Sequence, residues 1–308
     1  MSSPSSPTGA TPTGAVYDRG YRPYEGARGG RWAAPAALYR TSLRRAIGLR
    51  RPWRQKLMPA VLLGIAVVPA VINVGIGYVT RGTPAEGFEF ITYRDYVGVS
   101  STLLLFVALI APDIVCPDRR QRVLPLIFAR PLTGRDYVLA KVGAIATCVF
   151  AFSFLPQVVL FVGQMLVSDG ALDYLTENAA VLWQVPVAVA ALTLFYAVLG
   201  VAVASLSSRR IVAGAALLGI TLVTSAVAAI LLEGSGRGAP GGNGSPVALV
   251  NVLALPLYVR DLVFLGRLDN RSDLSGVAGG GAMALAAYVA VVVACTVVLL
   301  RRYRSAEA

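Results

Sequence analysis

The chain has 308 residues, of which 56% are hydrophobic and only 14% are charged, and its mean hydropathy is +0.66. This composition excludes an ordinary soluble domain and is typical of a protein with several membrane-spanning segments. The net charge of +12 does not indicate a nucleic-acid partner, because the basic residues cluster at the ends of apolar runs, where they act as topology signals.

The chain carries none of the residue patterns that would give it chemistry of its own. Histidine is absent, which excludes a Ser-His hydrolase and imidazole-based metal sites. The cysteines Cys116, Cys148 and Cys295 are too widely spaced to indicate a zinc site or a disulfide framework. No phosphate-binding Gly-x-x-x-x-Gly-Lys-Ser/Thr motif occurs. We therefore expect no enzymatic activity, catalytic residue, metal or cofactor in this chain.

The N-terminal region divides into a polar tail and an amphipathic segment. Residues 1–33 are rich in Ser, Pro, Thr and Gly, which predicts a disordered cytoplasmic tail before a transmembrane domain at 34–308. Residues 35–55 alternate apolar and arginine-bearing faces at helical spacing. This pattern predicts an interface helix that lies on the membrane surface.

Six segments reach the roughly 20 apolar residues that a bilayer requires. The sequence therefore predicts an all-α integral membrane fold. The predicted spans are 57–79, 96–115, 142–167, 180–206, 211–232 and 279–300.

A seventh apolar segment, 247–265, is interrupted by Pro256, Arg260 and Asp261. Two charges near a helix centre cost about 5–7 kcal/mol, which offsets the gain from its apolar residues. We expect a re-entrant or interfacial segment on the outer face between spans five and six.

The distribution of Lys and Arg predicts the orientation. Eighteen of these residues flank the predicted cytoplasmic ends and six lie in the opposite loops. Both termini are therefore expected in the cytoplasm, in a multi-pass protein of the bacterial plasma membrane.

Neutral polar side chains lie within the predicted spans, whereas ionisable residues are absent from the span centres, which argues against a proton-coupled transporter. These side chains could line a substrate pathway or could hydrogen-bond between helices, and the sequence leaves both interpretations open. They are Asn73, Ser153, Gln157, Gln164, Thr221, Thr224 and Ser225.

A charged loop from Cys116 to Lys141 separates spans two and three. Asp118 is predicted to cap a short helix that ends at Arg130-Pro131. Thr133 and Asp136 then form a capping-box variant that opens the next helix, which runs on into the third span. The loop is thus predicted to hold a short helix across the cytoplasmic surface, rigidly joined to a spanning one.

The loop string Asp118-Arg119-Arg120 … Leu124-x-Leu126 … Ala129-Arg130-Pro131-Leu132-Thr133-x-Arg135-Asp136-Tyr137 … Lys141 resembles the loop between spans two and three of type-2 ABC exporter permeases. The interface helix, the six spans and the outer segment are similar to the plan of that family. The stretch 16–26 resembles the N-termini of actinobacterial members.

The resemblance implies a permease that works with two separate ABC ATPase subunits, which hold ATP and Mg, and with a second permease copy or a paralogue among membrane lipids. It implies outward transport of an amphipathic or lipid-like substrate, such as a drug, an antibiotic or a lipid, as in multidrug efflux. The short loop helix would be the coupling helix. The residues implied in coupling are Asp118, Arg119, Arg120, Leu124, Ile127, Arg130, Arg135 and Asp136.

Two other functions remain open. One is a stand-alone membrane scaffold or lipid-binding protein without a nucleotide cycle. The other is a lipid enzyme, for which Asp169, Asp173 and Glu177 are the only outer acidic candidates; no basic partner accompanies them in that loop.

Overall fold

The computed structural model describes residues 30–48, 53–81, 83, 91–97, 100–129, 132–168, 170–234 and 244–304. Within these ranges the chain forms helices joined by turns and short loops, without a strand, which confirms the all-α prediction. Most of the predicted N-terminal tail and Arg130 lie outside the described residues.

The helices are numbered in chain order. They are α1 (Ala33–Ile47), α2 (Trp53–Thr80), α3 (Tyr93–Val97), α4 (Ser100–Arg120), α5 (Leu124–Phe128), α6 (Gly134–Val167), α7 (Ala171–Glu177), α8 (Val181–Leu206), α9 (Arg210–Gly234), α10 (Leu255–Leu265) and α11 (Gly280–Arg304). A 3-10 helix at Pro246–Val250 precedes α10.

Among the described residues, six helical segments are long and apolar enough to cross a membrane, and each overlaps one predicted span. They are Leu57–Thr80, Tyr93–Arg120, Gly134–Val167, Val181–Leu206, Arg210–Gly234 and Gly280–Arg304. The predicted number and order of long apolar helices are thereby confirmed for the part of the chain that the structure describes.

The third span continues well beyond its apolar part. α6 contains 34 residues, which at 1.5 Å per residue is about 51 Å, whereas a bilayer core is about 30 Å thick. It begins directly after Thr133, so the predicted continuous helix from the loop into the third span is confirmed. The first turns of α6 therefore extend past the apolar layer.

The centre of the bundle is formed by α8 and α4, which are mostly buried inside the chain. α8 contacts α4, α6, α9, α10 and α11. By contrast, few residues of α2, α9 and α11 are buried inside the chain. This is the arrangement expected where lipid, rather than water, surrounds the outer helices.

Glycines allow two of these helix pairs to approach closely. A Cβ added at Gly163 of α6 would lie 2.3 Å from Cγ2 of Val74 in α2. A Cβ at Gly214 of α9 would lie 2.8 Å from the carbonyl oxygen of Ala108 in α4. Small residues at such crossings permit the backbone packing that is common between membrane helices.

The predicted interface helix is shorter than 35–55. α1 ends at Ile47 because Gly48 takes a left-handed conformation with φ 74, and a new helix begins at Trp53. α1 packs along α6, where the Tyr39 hydroxyl is 2.8 Å from Oγ1 of Thr147. Its position on a membrane surface stays a prediction.

The segment at 247–265 does not form a seventh span. It consists of the 3-10 helix and of α10, whose 11 residues extend only about 16 Å. α10 ends at Gly266, with φ 66, and packs against α8 and α11. Its re-entrant or interfacial depth stays a prediction.

A hydrogen bond joins α10 to α3, and an ion pair joins the loop after α10 to α3. Arg94 lies 2.8 Å from Asp269, and Arg260 pairs with Asp261 at 2.7 Å while donating to the carbonyl of Arg94 at 3.2 Å. Burial raises the pKa of Asp261, although Arg260 opposes this shift. The Arg271 backbone N–H and the Arg94 guanidinium hold the pKa of Asp269 below its ordinary value. The two charges that interrupt this segment thus neutralise each other.

Candidate functional site at the α4–α6 connection

A buried carboxylate organises the end of the bundle next to the loop. Asp118 is 4% exposed, and its Oδ2 lies 2.5 Å from Nζ of Lys141. Its Oδ1 accepts a hydrogen bond from Arg45 at 2.9 Å, and Tyr137 donates to Oδ2 at 3.1 Å. One side chain of α4 therefore binds α1 and α6 together.

The prediction that Asp118 caps the short helix is wrong. Asp118 lies within α4, which continues to Arg120, and α5 has Val123 at its N-cap without a side-chain cap. The reason is that Lys141 and Arg45 offer Asp118 a stronger interaction than a helix terminus, since charge-assisted hydrogen bonds exceed those to neutral donors. In this structure the Asp118 carboxylate is bonded to Arg45, Lys141 and Tyr137 of the same chain.

Lys141 is also held by groups other than Asp118. Its Nζ donates to the carbonyl of Ile114 at 3.1 Å and lies 5.4 Å from the centre of the Tyr137 ring. The ring of Tyr137 packs 4.7 Å from that of Tyr303 at the end of α11. The cluster thus links four helices: α1, α4, α6 and α11.

The short helix α5 has one packed side and one open side. Leu124, Ile127 and Phe128 are half-buried and pack against the core. Leu126 is 72% exposed, so it presents an apolar side chain outward. The helical spacing indicates this outward position, because residue 126 lies opposite the face shared by 124, 127 and 128. Leu126 is nevertheless not among the residues predicted to act in coupling.

The predicted capping box at the start of α6 is confirmed. The Asp136 amide donates to Oγ1 of Thr133 at 3.3 Å, and the Thr133 amide donates to the Asp136 carboxylate at 3.1 Å. Arg135 between them is exposed. The capping box fixes the direction in which the chain enters α6.

The two arginines at the end of α4 differ in their surroundings. The guanidinium of Arg119 donates to the carbonyl of Ser205 at the end of α8, whereas Arg120 is exposed. Nearby, Asp113 pairs with Arg210 of α9 at 2.7 Å. Arg119 therefore holds the α8–α9 connection, while Arg120 remains accessible.

A groove of about 560 Å³ separates α1 from α5. Leu38, Leu126 and Ile127 form its apolar wall, and Arg45 and Asp118 lie at its base. Its volume falls within the range of ligand and peptide pockets. Of the predicted coupling residues, Asp118 and Ile127 border this concave surface.

Of the neutral polar residues, the set on α2 and α6 forms bonds within the bundle. Nδ2 of Asn73 donates to the carbonyl of Ile91 at 2.9 Å. Nε2 of Gln157 and of Gln164 point to the carbonyls of Tyr93 and Asn73 at 3.4 and 3.5 Å. Ser153 borders a cavity of only about 20 Å³.

The set on α9 is bonded to its own helix and to Asn251, which follows the 3-10 helix. The hydroxyls of Thr221 and Thr224 donate to the carbonyls of Leu217 and Ile220. The Ser225 hydroxyl is 2.7 Å from Oδ1 of Asn251. For Asn73, Gln164, Thr221, Thr224 and Ser225 these contacts favour a packing role over a shared pathway.

Among the residues that the structure describes, no group of three His, Cys, Asp or Glu side chains could hold a metal ion. No protein-family model matches the chain, and no curated protein matches it closely enough to indicate a relative. The fold itself defines a class, because six long apolar helices are the hallmark of a multi-pass membrane protein.

Proposed function

We propose that this chain is the membrane-spanning permease subunit of an ATP-driven exporter of the ABC class in a bacterial plasma membrane. Two partner ATPase subunits bind and hydrolyse ATP with Mg, and a second permease copy or a paralogue completes the transporter. The substrate is amphipathic or lipid-like and moves outward.

The observation that carries this proposal is the attachment of α5. Its exposed Leu126 lies on a short helix between α4 and α6, and the Thr133 capping box and the Asp118 cluster fix both of these neighbours. A coupling element requires an apolar surface that is rigidly attached to the spans, because displacement of α5 must move the spans rather than deform a loop.

The cluster also suggests how movement would spread. Because Asp118 binds Arg45 of α1 and Lys141 of α6, a force on α5 reaches these helices and α4 together. Closure of the ATPase pair would tilt this inner end as one body. Such hinge and shear motions are common in ligand-driven proteins.

The test is a charge placed on the exposed side of α5. Leu126→Glu should leave expression and thermal stability unchanged, since exposed substitutions usually cost less than about 0.5 kcal/mol. It should abolish the stimulation of ATPase activity by substrate in reconstituted transporter. The matched control is Ile211→Glu, at a residue that is 87% exposed near the same end of the bundle. Equal stimulation in both variants would remove α5 from the coupling path.

The rival function is a stand-alone scaffold or lipid-binding protein without a nucleotide cycle. It predicts that the chain purifies from native membranes in mild detergent without any ATP-binding partner.

A further inference from the structure

A second cavity, of about 220 Å³, lies between α6 and α8, beside the half of α6 that is farther from the loop at Cys116 to Lys141. We infer that it binds a small neutral apolar molecule with one hydrogen-bond donor, and that Gln157 accepts that hydrogen bond. The cavity is lined by Tyr93, Phe154, Gln157, Val158, Phe161, Val181, Leu182, Val185 and Pro186.

The wall of the cavity is aromatic and held in place. The rings of Tyr93 and Phe161 lie 6.2 Å apart, and Phe161 packs 5.8 Å from Tyr174. The hydroxyls of Tyr93 and Tyr174 are 2.5 Å apart, so the Tyr93 ring is fixed from outside the cavity. A preformed apolar wall favours ligands with a ring or a short alkyl chain.

Gln157 is the one polar side chain among the residues that line the cavity apart from the Tyr93 hydroxyl. It is 2% exposed, and its Oε1 has no hydrogen-bond partner among the described residues. Its Nε2 is held only by a long contact of 3.4 Å to the Tyr93 carbonyl. A buried acceptor without a donor destabilises a protein, so a ligand that donates to it gains affinity.

The contact requires a small movement of the amide. Oε1 of Gln157 is shielded from water by its neighbours. Binding requires rotation about the last side-chain bond so that this oxygen faces the cavity, and that torsion has a broad, low barrier. The rotation gives up the 3.4 Å contact from Nε2 to the Tyr93 carbonyl, which the hydrogen bond from the ligand must more than offset.

The cavity opens on the outer surface of the bundle. Val158 and Leu182 at its rim are 41% and 52% exposed, on helices that have the composition of membrane spans. Pro186 lacks the amide that would bond to the Leu182 carbonyl, which leaves a second acceptor near the rim without its usual helical donor. Access from the lipid phase suits a molecule that partitions into membranes.

The volume of the cavity and the absence of charge in its lining limit the kinds of ligand that it can bind. An apolar cavity of about 150 Å³ holds benzene, so 220 Å³ accommodates a substituted ring or one arm of a larger amphiphile. No charged residue lines this cavity, and a buried charge without a partner is strongly disfavoured. Neutral alcohols, phenols and amides therefore fit, whereas ionic headgroups remain outside.

Binding at this cavity is independent of any ATPase. Only its role as the place where exported substrate leaves the lipid rests on the proposed function. The test therefore uses the full chain alone, in nanodiscs of phosphatidylcholine, so that failure of binding and failure of coupling are distinguished.

The probes are 4-(trifluoromethyl)phenol and trifluoromethylbenzene, which differ by one hydroxyl group and are detected by fluorine NMR. Both should give a protein-dependent bound signal. The phenol should bind about fivefold more tightly, because one neutral hydrogen bond contributes about 1 kcal/mol. Equal affinity of the two probes would overturn the proposal.

Three variants locate the site. Gln157→Leu should bind both probes equally, and Val158→Trp, at the rim, should bind neither without altering the buried amide. Val223→Trp, which replaces a residue 61% exposed on α9, should behave like the wild type. Binding that survives Val158→Trp, or a phospholipid that neither probe displaces in native mass spectrometry, would show that the cavity does not take this ligand.

Discussion

The buried ion pair between Asp118 and Lys141 is where we expect a single substitution to lower the stability of the fold most. Their side chains are 5% and 2% exposed, and the two charged atoms are 2.5 Å apart. Asp118→Asn leaves the Lys141 ammonium without a carboxylate, which should lower the free energy of unfolding by about 3–5 kcal/mol. Lys141→Gln should cost less, because Asp118 keeps its contacts with Arg45 and Tyr137.

The double variant isolates the interaction. Asp118→Asn combined with Lys141→Gln replaces the ion pair by two amides that can bond to each other. It should lose no more than the worse single variant, since removing both buried charges is far less costly than removing one. Arg45→Gln is the control, and it should cost at most about 1 kcal/mol because Arg45 is one-third exposed.

The assay is SDS titration of the chain in mixed detergent micelles, which gives relative free energies of unfolding. If the double variant loses the sum of the two single losses to within about 0.5 kcal/mol, the two groups do not interact. That result would refute the claim that Asp118 joins α4 to α6.

Further predictions concern a helix cap, the ion pair between Arg94 and Asp269, and a close helix crossing. Thr133→Ala should cost about 1 kcal/mol in the same titration, while Thr133→Ser should not; equal losses would contradict the capping role. Because the pKa of Asp269 is lowered from 3.8, its contacts with the Arg271 backbone N–H and with Arg94 stabilise the fold above that pH, and this stabilisation is lost as the pH falls through the folded-state value. The melting temperature of Asp269→Asn should therefore lie below that of the wild type at neutral pH and converge with it in acid; a gap that persists in acid would argue against the contact. Gly163→Ala should lower the free energy of unfolding by about 1–3 kcal/mol through overpacking against Val74, and adding Val74→Ala should recover that stability. If the second substitution recovers nothing, the strain lies elsewhere.

The sequence was a good guide wherever local chemistry decides the structure. Run length alone predicts the six spans, because backbone groups in a bilayer must be satisfied within a helix. Thr133 and Asp136 predict the start of α6, because both partners of a capping box lie three residues apart. The end of α1 at Gly48 is equally local, because a left-handed glycine commonly ends a helix, yet the predicted helix continues to residue 55.

Tertiary partners explain what was wrong or missed. Asp118 has the composition of a cap, yet its carboxylate pairs with Arg45, which lies 73 residues away, and with Lys141 across the loop. Arg119 likewise binds the Ser205 carbonyl at the end of α8, a contact that no pattern within the loop indicates, while its role in coupling stays a prediction. Periodicity within one segment contains no information on which distant side chain arrives beside it. The outward position of Leu126 was readable from spacing, although the prediction named Leu124 and Ile127 instead.

The central claim is that α5 contacts an ATPase, and a photocrosslink tests it most directly. p-Benzoylphenylalanine introduced at Leu126 is irradiated in native membranes, with Ile211 as the control position, and the products are identified by mass spectrometry. The account predicts a crosslink from position 126, and none from 211, to a protein that carries a phosphate-binding motif and binds ATP. Crosslinks from position 126 only to lipid, with the chain intact and fully substituted, would contradict it.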